Sequence, residues 1–304
     1  MPNYSGSWNL VQQMQAVAAS NWPIQPGTVA IFALGYTTVS TTTRNKYTFS
    51  SCLNGTATAS SAASNGGSAA GNSTVGIFAL GCTSGASTTR DKYTYSGCVN
   101  SSATAATAAS YFGSAAGNST VGIFALGAAP TASTTRNKYT YSGCVSASAT
   151  ASSAASSFGA AAGNATVGIF ALGNSTTTRN KYTYSGDVNA SATASSAASC
   201  TGSAAGNATV GIFAIGNAST TRNKYTYSGD VNASATASSA TSNGGSAAGN
   251  STVGIFALGY ASGNASTTRD KYTYSGCVVS SGAAASVASA LGSAASNGTC
   301  GVNV

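Results

Sequence analysis

A single motif recurs along the chain almost letter for letter, and this repetition constrains the fold more than any other feature of the sequence. In its commonest form the motif is a G-I-F-A-L-G core followed by T-T-R-[N/D]-K-Y-T-Y-S-G. Its core phenylalanines follow one another at intervals of 46, 46, 46, 43 and 43 residues: Phe32, Phe78, Phe124, Phe170, Phe213 and Phe256. A period of this length is typical of proteins in which one small unit is copied and then stacked or closed into a ring.

The unit has the pattern of four short β-strands. Residues 75–80 form an apolar run bounded by turn residues, which favours a buried strand. Residues 92–96 alternate aromatic and polar side chains and end at Gly97, which favours a second strand. We interpret the Ala-, Ser- and Thr-rich remainder, such as residues 101–114, as two strands of small side chains, because its serines, threonines and Gly113 disfavour a helix.

The two chain ends carry complementary half-units. Residues 296–304 align with residues 249–257 as a degraded seventh core segment, and residues 3–7 align with residues 94–98. Pairing of the last piece with the first would leave no free sheet edge, so this arrangement favours a closed ring. The sequence therefore predicts an all-β fold, a single seven-bladed β-propeller of four-stranded blades, closed by pairing of N- and C-terminal strands.

This prediction assigns residues 1–304 to one domain of seven repeats, each of about 43–47 residues. Small side chains suit the innermost strands, where blades converge, and the large apolar residues then belong between neighbouring blades. We expect the closing blade to take its inner two strands from residues 283–304 and its outer two from residues 1–15.

The order of a small-residue strand, a G-I-F-A-L-G strand and a K-Y-T-Y-S strand resembles a kelch-type blade. More narrowly, G-N-S-T-V-G-I-F-A-L-G with T-T-R-N-K-Y-T-Y-S-G-D is similar to the degenerate kelch-like arrays of tail- and fibre-associated proteins of tailed bacteriophages, including cyanophages. The resemblance implies a virion component whose partners are other virion proteins or a host cell-surface glycan. The G-I-F-A-L-G core lacks the double glycine of the kelch Y-V-F-G-G pattern, and the repeats lack the conserved tryptophan of eukaryotic kelch repeats, so the scaffolding roles of that family are not implied.

The start of the chain shows no secretory signal, because Met1-Pro2-Asn3-Tyr4 has neither a basic nor an apolar region and Tyr4 already belongs to the repeat. No apolar run approaches the roughly 20 residues of a membrane span. We therefore expect a virion protein made in the host cytoplasm, without a membrane span and compatible with homo-oligomer formation. Trp8 and Trp22 lie in the first unit and mark either an attachment surface or a divergent end blade.

The chain's few charges follow the repeat, since each full motif carries one arginine and one lysine. In a ring, this spacing produces a belt of basic sites. The belt has two interpretations: a multivalent surface for an anionic partner, or arginines that stack on aromatic rings and bond carbonyls of the adjacent blade. A nucleic-acid partner is disfavoured, because a net charge of +8 spread around a ring is not a basic groove.

The residue inventory disfavours catalysis, because the chain has no histidine and no glutamate and its four aspartates lie inside the repeat motifs. We therefore predict a non-enzyme without a cofactor. The seven cysteines form no C-x-x-C motif, so we also predict no metal site.

Length varies only in the segments between the core and the T-R-[N/D]-K motif: residues 36–43, 82–89, 128–135, 174–178, 217–221 and 260–268. Because alternate connections of a blade emerge on opposite faces, we expect all six on one side of the disc, where recognition usually lies. The predicted contacts are two tyrosines and the motif arginines: Tyr36, Arg44, Arg90, Arg136, Arg179, Arg222, Tyr260 and Arg269. The expected function is assembly or host-surface recognition by a virion tail or fibre component; the alternative is a carbohydrate-binding propeller with repeated sites between blades.

Overall fold

The protein is a β-propeller of four-stranded antiparallel blades. The computed structural model describes residues 28–50, 53–96, 99–142, 145–185, 187–228, 230–275 and 279–297, and these residues form six such blades and no helix. The six inner strands lie beside one another in a closed ring around a central channel.

We number the blades by their core strands in chain order and name the strands inner, core, third and outer. Blades 1 to 3 consist, in that order, of Ser293–Ser296, Val29–Ala33, Arg44–Thr48, Leu53–Ala57; Ser68–Gly71, Val75–Ala79, Arg90–Thr94, Val99–Ala103; and Ser114–Gly117, Val121–Ala125, Arg136–Thr140, Val145–Ala149. Blades 4 to 6 consist of Ala160–Gly163, Val167–Ala171, Arg179–Thr183, Val188–Ala192; Ser203–Gly206, Val210–Ala214, Arg222–Thr226, Val231–Ala235; and Ser246–Gly249, Val253–Ala257, Arg269–Thr273, Val279–Ser281. A separate hairpin of two short strands, Tyr260–Ala261 and Asn264–Ala265, lies in the connection between the core and third strands of blade 6.

The strand pattern predicted from the unit is confirmed with shifted bounds. The core strand coincides with the apolar run, whereas the third strand begins at the motif arginine and ends at Thr94, leaving Tyr95 in the following turn. The predicted small-residue strands are an outer strand of one blade and an inner strand of the next, but most of residues 101–114, which we expected to be strand, is not. A connection over residues 104–113 separates them.

The predicted number of seven blades is wrong, because six inner strands already close the ring. Each of the six full motifs supplies one core, one third and one outer strand. The half-unit near the C-terminus supplies only the inner strand that the first motif lacks, so it completes blade 1 and does not begin a seventh.

The predicted make-up of the closing blade is also wrong. Ser293–Ser296 pairs antiparallel with Val29–Ala33, so blade 1 takes one strand from the end of the described chain and three from its start. The Asn297 side chain extends this contact by accepting a hydrogen bond from the Val29 amide at 3.0 Å. The outer strands expected from residues 1–15, the core segment expected from residues 298–304, and both tryptophans lie outside the described residues.

The hydrophobic core lies between the blades, in six clusters that each join two neighbours. Between blades 1 and 2, Ile31 packs against Phe78 and Tyr93, and all three are fully buried. The prediction that the core phenylalanines are buried between blades is confirmed, since all six are at most 2% exposed. The small residues of the inner strands let the six backbones approach the axis, as the sequence predicted.

The residues that pack against the turn aromatic differ between blade 1 and the other blades. In blade 2, a Cβ atom on Gly76 would lie 2.8 Å from the Tyr95 hydroxyl, and one on Gly71 would lie 2.6 Å from it, so both positions exclude larger residues. Blade 1 has Ala30 and Ser296 at these places. Its turn aromatic is Phe49, which has no hydroxyl, so the space is available for the two extra side chains.

Candidate binding face

The variable segments all lie on one face of the disc, as predicted. Ser68 pairs with Ala79 and Arg90 pairs with Ala103, so the core-to-third connection and the connection to the next blade emerge at the same end of the strands. The two connections contact each other through paired backbone hydrogen bonds, such as Asn65 with Cys82 at 2.8 and 3.0 Å. We call this side the loop face.

On the opposite side, the turn face, the turns between inner and core strands are uniform in blades 2 to 6. The turn between inner and core strands of blade 2 is fixed by Asn72, whose side-chain oxygen accepts hydrogen bonds from the amides of Thr74 and Val75 at 2.9 Å. Its side-chain nitrogen donates to the carbonyl of Ser119 in the next blade at 3.0 Å. The same asparagine recurs in blades 3, 4, 5 and 6 with the same turn bonds: Asn118, Asn164, Asn207 and Asn250. Variation between copies is therefore concentrated on the loop face.

The six motif arginines lie buried between neighbouring blades and not on the loop face. Each is only 1–2% exposed and reaches from one blade into the next. Arg44 lies with its guanidinium carbon 4.7 Å from the centre of the Phe78 ring and donates to the Asp91 carboxylate at 2.9 Å. The equivalent stacking distances are 4.4–4.7 Å, and the pairs are Arg90 with Phe124, Arg136 with Phe170, Arg179 with Phe213, Arg222 with Phe256 and Arg269 with Phe32.

These contacts correct the expectation of an arginine belt open to an anionic ligand. Arg269 of blade 6 bonds Asn45 of blade 1 at 3.3 Å, so the chain of arginine bonds closes on itself. Burial lowers the pKa of Arg90, Arg136, Arg179 and Arg269 to about 10. The geometry matches the other interpretation drawn from the sequence, in which the arginines hold adjacent blades together by cation–π and hydrogen-bond contacts.

The two predicted tyrosines lie on the loop face, at equivalent places in adjacent blades. Tyr36 begins the variable segment of blade 1, and Tyr260 begins that of blade 6; both are half-buried. Their amides donate to the carbonyls of Ala290 at 2.8 Å and Asn243 at 2.7 Å. These bonds hold the start of each variable segment against the connection that leads to the inner strand.

The centre of the loop face holds a ring of six residues that sequence reasoning missed. One residue from each blade, two positions before the inner strand, has a positive φ of 54–64°. Each donates its amide to the carbonyl of the equivalent residue in the adjacent blade, at 2.6–3.0 Å, so the six bonds form a closed circle. We call this the mouth ring; its members are Gly66, Phe112, Phe158, Thr201, Gly244 and Leu291.

The mouth ring surrounds one end of the channel and breaks the repeat symmetry in its side chains. The Phe112 and Phe158 rings stack with centroids 4.0 Å apart, and Tyr111 meets Phe112 edge-on at 4.9 Å. A cavity of about 100 Å³ lies here, lined by the mouth ring and the inner strands. A signal for this site was present in the sequence, since the two residues before each G-S-A-A-G-like stretch vary between copies while the stretch itself hardly changes.

No group of histidine, cysteine, aspartate or glutamate residues with the geometry of a metal site occurs in the described ranges. Of the seven cysteines, Cys82 and Cys200 are described, and both are free and half-buried near the loop face. Cys52, Cys98, Cys144, Cys277 and Cys300 lie outside the described residues.

Comparison with known protein families gives no match to this sequence, and comparison with curated proteins gives no significant similarity. No helix long and apolar enough to cross a membrane occurs in the part of the chain that the structure describes.

Proposed function

We propose that this protein is a non-enzymatic recognition disc that binds a partner through its loop face. The observation that carries the proposal is the division of the molecule into a constant and a variable part. The blade interfaces and the inner-to-core turns of blades 2 to 6 repeat the same contacts, whereas loop length and mouth-ring side chains differ between blades. Surface loops on a rigid scaffold are a common place for recognition.

The residue inventory supports a non-enzymatic role. With no histidine or glutamate in the chain, the aspartates are the ordinary candidates for acid–base work. Asp91 and Asp270 are buried in ion pairs with Arg44 and Arg222 at 2.9 and 2.8 Å, where they bind blades together.

We further propose that the disc is a component of a bacteriophage tail or fibre, acting in assembly or in attachment to a host surface. This part of the proposal rests on the resemblance of the repeats to kelch-like arrays of phage tail proteins. Mass spectrometry of purified particles of the virus that encodes the chain tests it directly. Its peptides should be found at a constant ratio to those of the tail proteins, and their absence from intact particles would contradict a virion role.

The loop face is tested by matching the long segments to the short ones that the protein already contains. Replacing residues 36–43, 82–89, 128–135 and 260–268 by the five-residue segment 174–178 should preserve folding, because blades 4 and 5 close with loops of this length. Particles carrying the variant should lose either incorporation of the disc or adsorption to host cells. Circular dichroism and cooperative unfolding verify the fold.

A variant of the turn face is the matched control. Lysine at the exposed positions Ser73, Ser119 and Ser251 changes the opposite side of the disc and should leave incorporation and adsorption intact. The reverse result, with function lost in the lysine variant and kept in the loop variant, would place the partner on the turn face.

Carbohydrate binding is the second candidate function, and the aromatic cluster at the mouth ring favours it. Aromatic faces and neutral hydrogen-bonding groups in one depression are the combination that sugar rings require. The structure fills the blade interfaces with arginine and aromatic side chains, so we now place the candidate sugar site at the centre of the loop face.

A further inference from the structure

We propose that the mouth ring binds the terminal, uncharged sugar ring of a glycan, with the Phe112–Phe158 pair as the stacking surface. This inference rests on the proposed role of the loop face in recognition. It adds to that role a defined site, a ligand class and the residues that select the ligand.

The backbone of the mouth ring does not require aromatic side chains. All six positions have positive φ, a conformation that glycine adopts freely and other residues adopt at a cost. Two blades have glycine there, Gly66 and Gly244, and they join the same circle of hydrogen bonds. The fold sets the positive φ at these positions but not the side chain, so Phe112 and Phe158 carry a backbone strain that glycine would avoid, as is found at functional sites.

Each of the two glycines leaves room for the side chain of a neighbouring ring member. A Cβ atom on Gly66 would lie 2.6 Å from the Phe112 ring, and one on Gly244 would lie 2.7 Å from a methyl carbon of Leu291. Around the ring, Gly66 is followed by Phe112, Phe158 and Thr201, and Gly244 is followed by Leu291. One side of the mouth is aromatic, because Phe112 contacts both Tyr111 and Phe158 there.

The rest of the mouth is uncharged and contains one apolar side chain, Leu291, and one polar side chain, Thr201. The Thr201 hydroxyl and the Asn243 side-chain oxygen are joined by a hydrogen bond, and both residues are half-buried. No charged residue lines the cavity among the described residues. An aromatic surface for the C–H face of a sugar, with the Thr201 hydroxyl next to it in the ring for the sugar's hydroxyl groups, suits a neutral pyranose better than an acidic one.

The cavity of about 100 Å³ limits how much of a ligand enters. Its wall below the mouth is a circle of six alanines, one per inner strand, at the position of Ala69. Because these side chains narrow the channel, we expect one terminal ring to enter the mouth while the remainder of the glycan lies along the variable loops.

The experiment is binding of the purified protein to an array of neutral and acidic glycans, followed by titration with the methyl glycoside of the terminal sugar of the strongest hit. The wild type should bind neutral termini. The double variant F112G/F158G introduces the residue that blades 2 and 6 already have, so it should fold, and it should lose about tenfold or more in affinity.

A second variant distinguishes stacking of the two phenylalanine rings on a sugar from simple closure of the channel by their bulk. F112L/F158L keeps bulk at the mouth, as Leu291 does in blade 1, but removes the aromatic faces, so it should lose affinity to a similar extent. Unchanged binding by either folded variant would overturn the proposal and identify the two rings as a plug.

The remaining outcomes separate this inference from the broader proposal. Glycan binding that survives in both mouth variants but is lost in the loop-shortened protein would overturn the mouth site and leave loop-face recognition intact. Wild-type protein that binds no neutral glycan would also overturn the mouth site. The particle-adsorption test of the loop face does not depend on that outcome.

Discussion

At the scale of single residues, one arginine per blade connects that blade to the next. The guanidinium stacks on a phenylalanine and bonds an aspartate or asparagine, so the same position accepts an ionic or a neutral partner. The hydrogen bond of the neighbouring hydroxyl group depends on this partner, because the hydroxyl donates to an aspartate and accepts from an asparagine. Ser61 donates to the Asp91 carboxylate at 2.6 Å, whereas Thr107 accepts from the Asn137 amide at 2.7 Å.

This exchange predicts that the charge of Asp91 is dispensable while its hydrogen bonds are not. D91N should change the free energy of unfolding by less than about 1 kcal/mol, because Asn137 performs the same role in blade 3. D91A should cost about 3–5 kcal/mol, since it leaves the buried Arg44 guanidinium and Ser61 without their acceptor. Urea denaturation of both variants measures the difference. Equal losses in the two would show that the ion pair itself is required.

The residue scale also shows where sequence reasoning stopped. One arginine and one lysine per motif fitted both a surface belt and an interface contact, because spacing along the chain does not distinguish a side chain at the rim from one between blades. Burial of Arg44 against Phe78 decides the matter. The mouth ring was missed for another reason. Phe112 and Phe158 lie in stretches interpreted as strands of small residues, whereas the structure has a connection between blades there.

At the scale of the blade, strand identity was predictable and strand bounds were not. The apolar run of the core strand specifies burial on both faces, whereas the exposed outer strand has only small residues with weak preferences. The packing of the turn aromatic over the core strand then depends on contacts that the pattern does not encode. In blade 2 Gly76 leaves room for the Tyr95 hydroxyl, whereas in blade 1 Phe49 has no hydroxyl and leaves room for the Ala30 methyl group.

A double-mutant cycle tests this exchange. G76A should destabilise blade 2 by about 1–3 kcal/mol, because the new methyl group would lie 2.8 Å from the Tyr95 hydroxyl and 3.1 Å from the Phe78 ring. The same substitution in a Y95F background should cost at least about 1 kcal/mol less, a coupling within the usual range for residues in contact. Thermal and urea unfolding of the four proteins give the coupling energy. Additive effects would mean that the hydroxyl does not determine glycine at position 76.

At the scale of the whole molecule, the ring is closed by one short strand. Ser293–Ser296 pairs with the core strand of blade 1, packs beside the inner strands of blades 6 and 2, and places Ala295 in the core between blades 1 and 2. The sequence indicated closure but not the number of blades, because a terminal half-unit either begins a new blade or completes an existing one. Only the three-dimensional count of inner strands distinguishes the two.

The closing strand gives a prediction for the molecule as a whole. A chain that ends at Gly292 should lose cooperative folding, because blade 1 loses its inner strand and the core between blades 1 and 2 loses Ala295, which is 1% exposed. A chain that ends at Asn297 keeps every described strand and the Asn297–Val29 bond, so it should unfold cooperatively, with a stability close to that of the full chain. Circular dichroism, size-exclusion chromatography and calorimetry compare the three proteins. Retained folding of the shorter chain would show that the ring tolerates an open first blade. Loss of folding in the longer one would show that residues 298–304 contribute to the propeller.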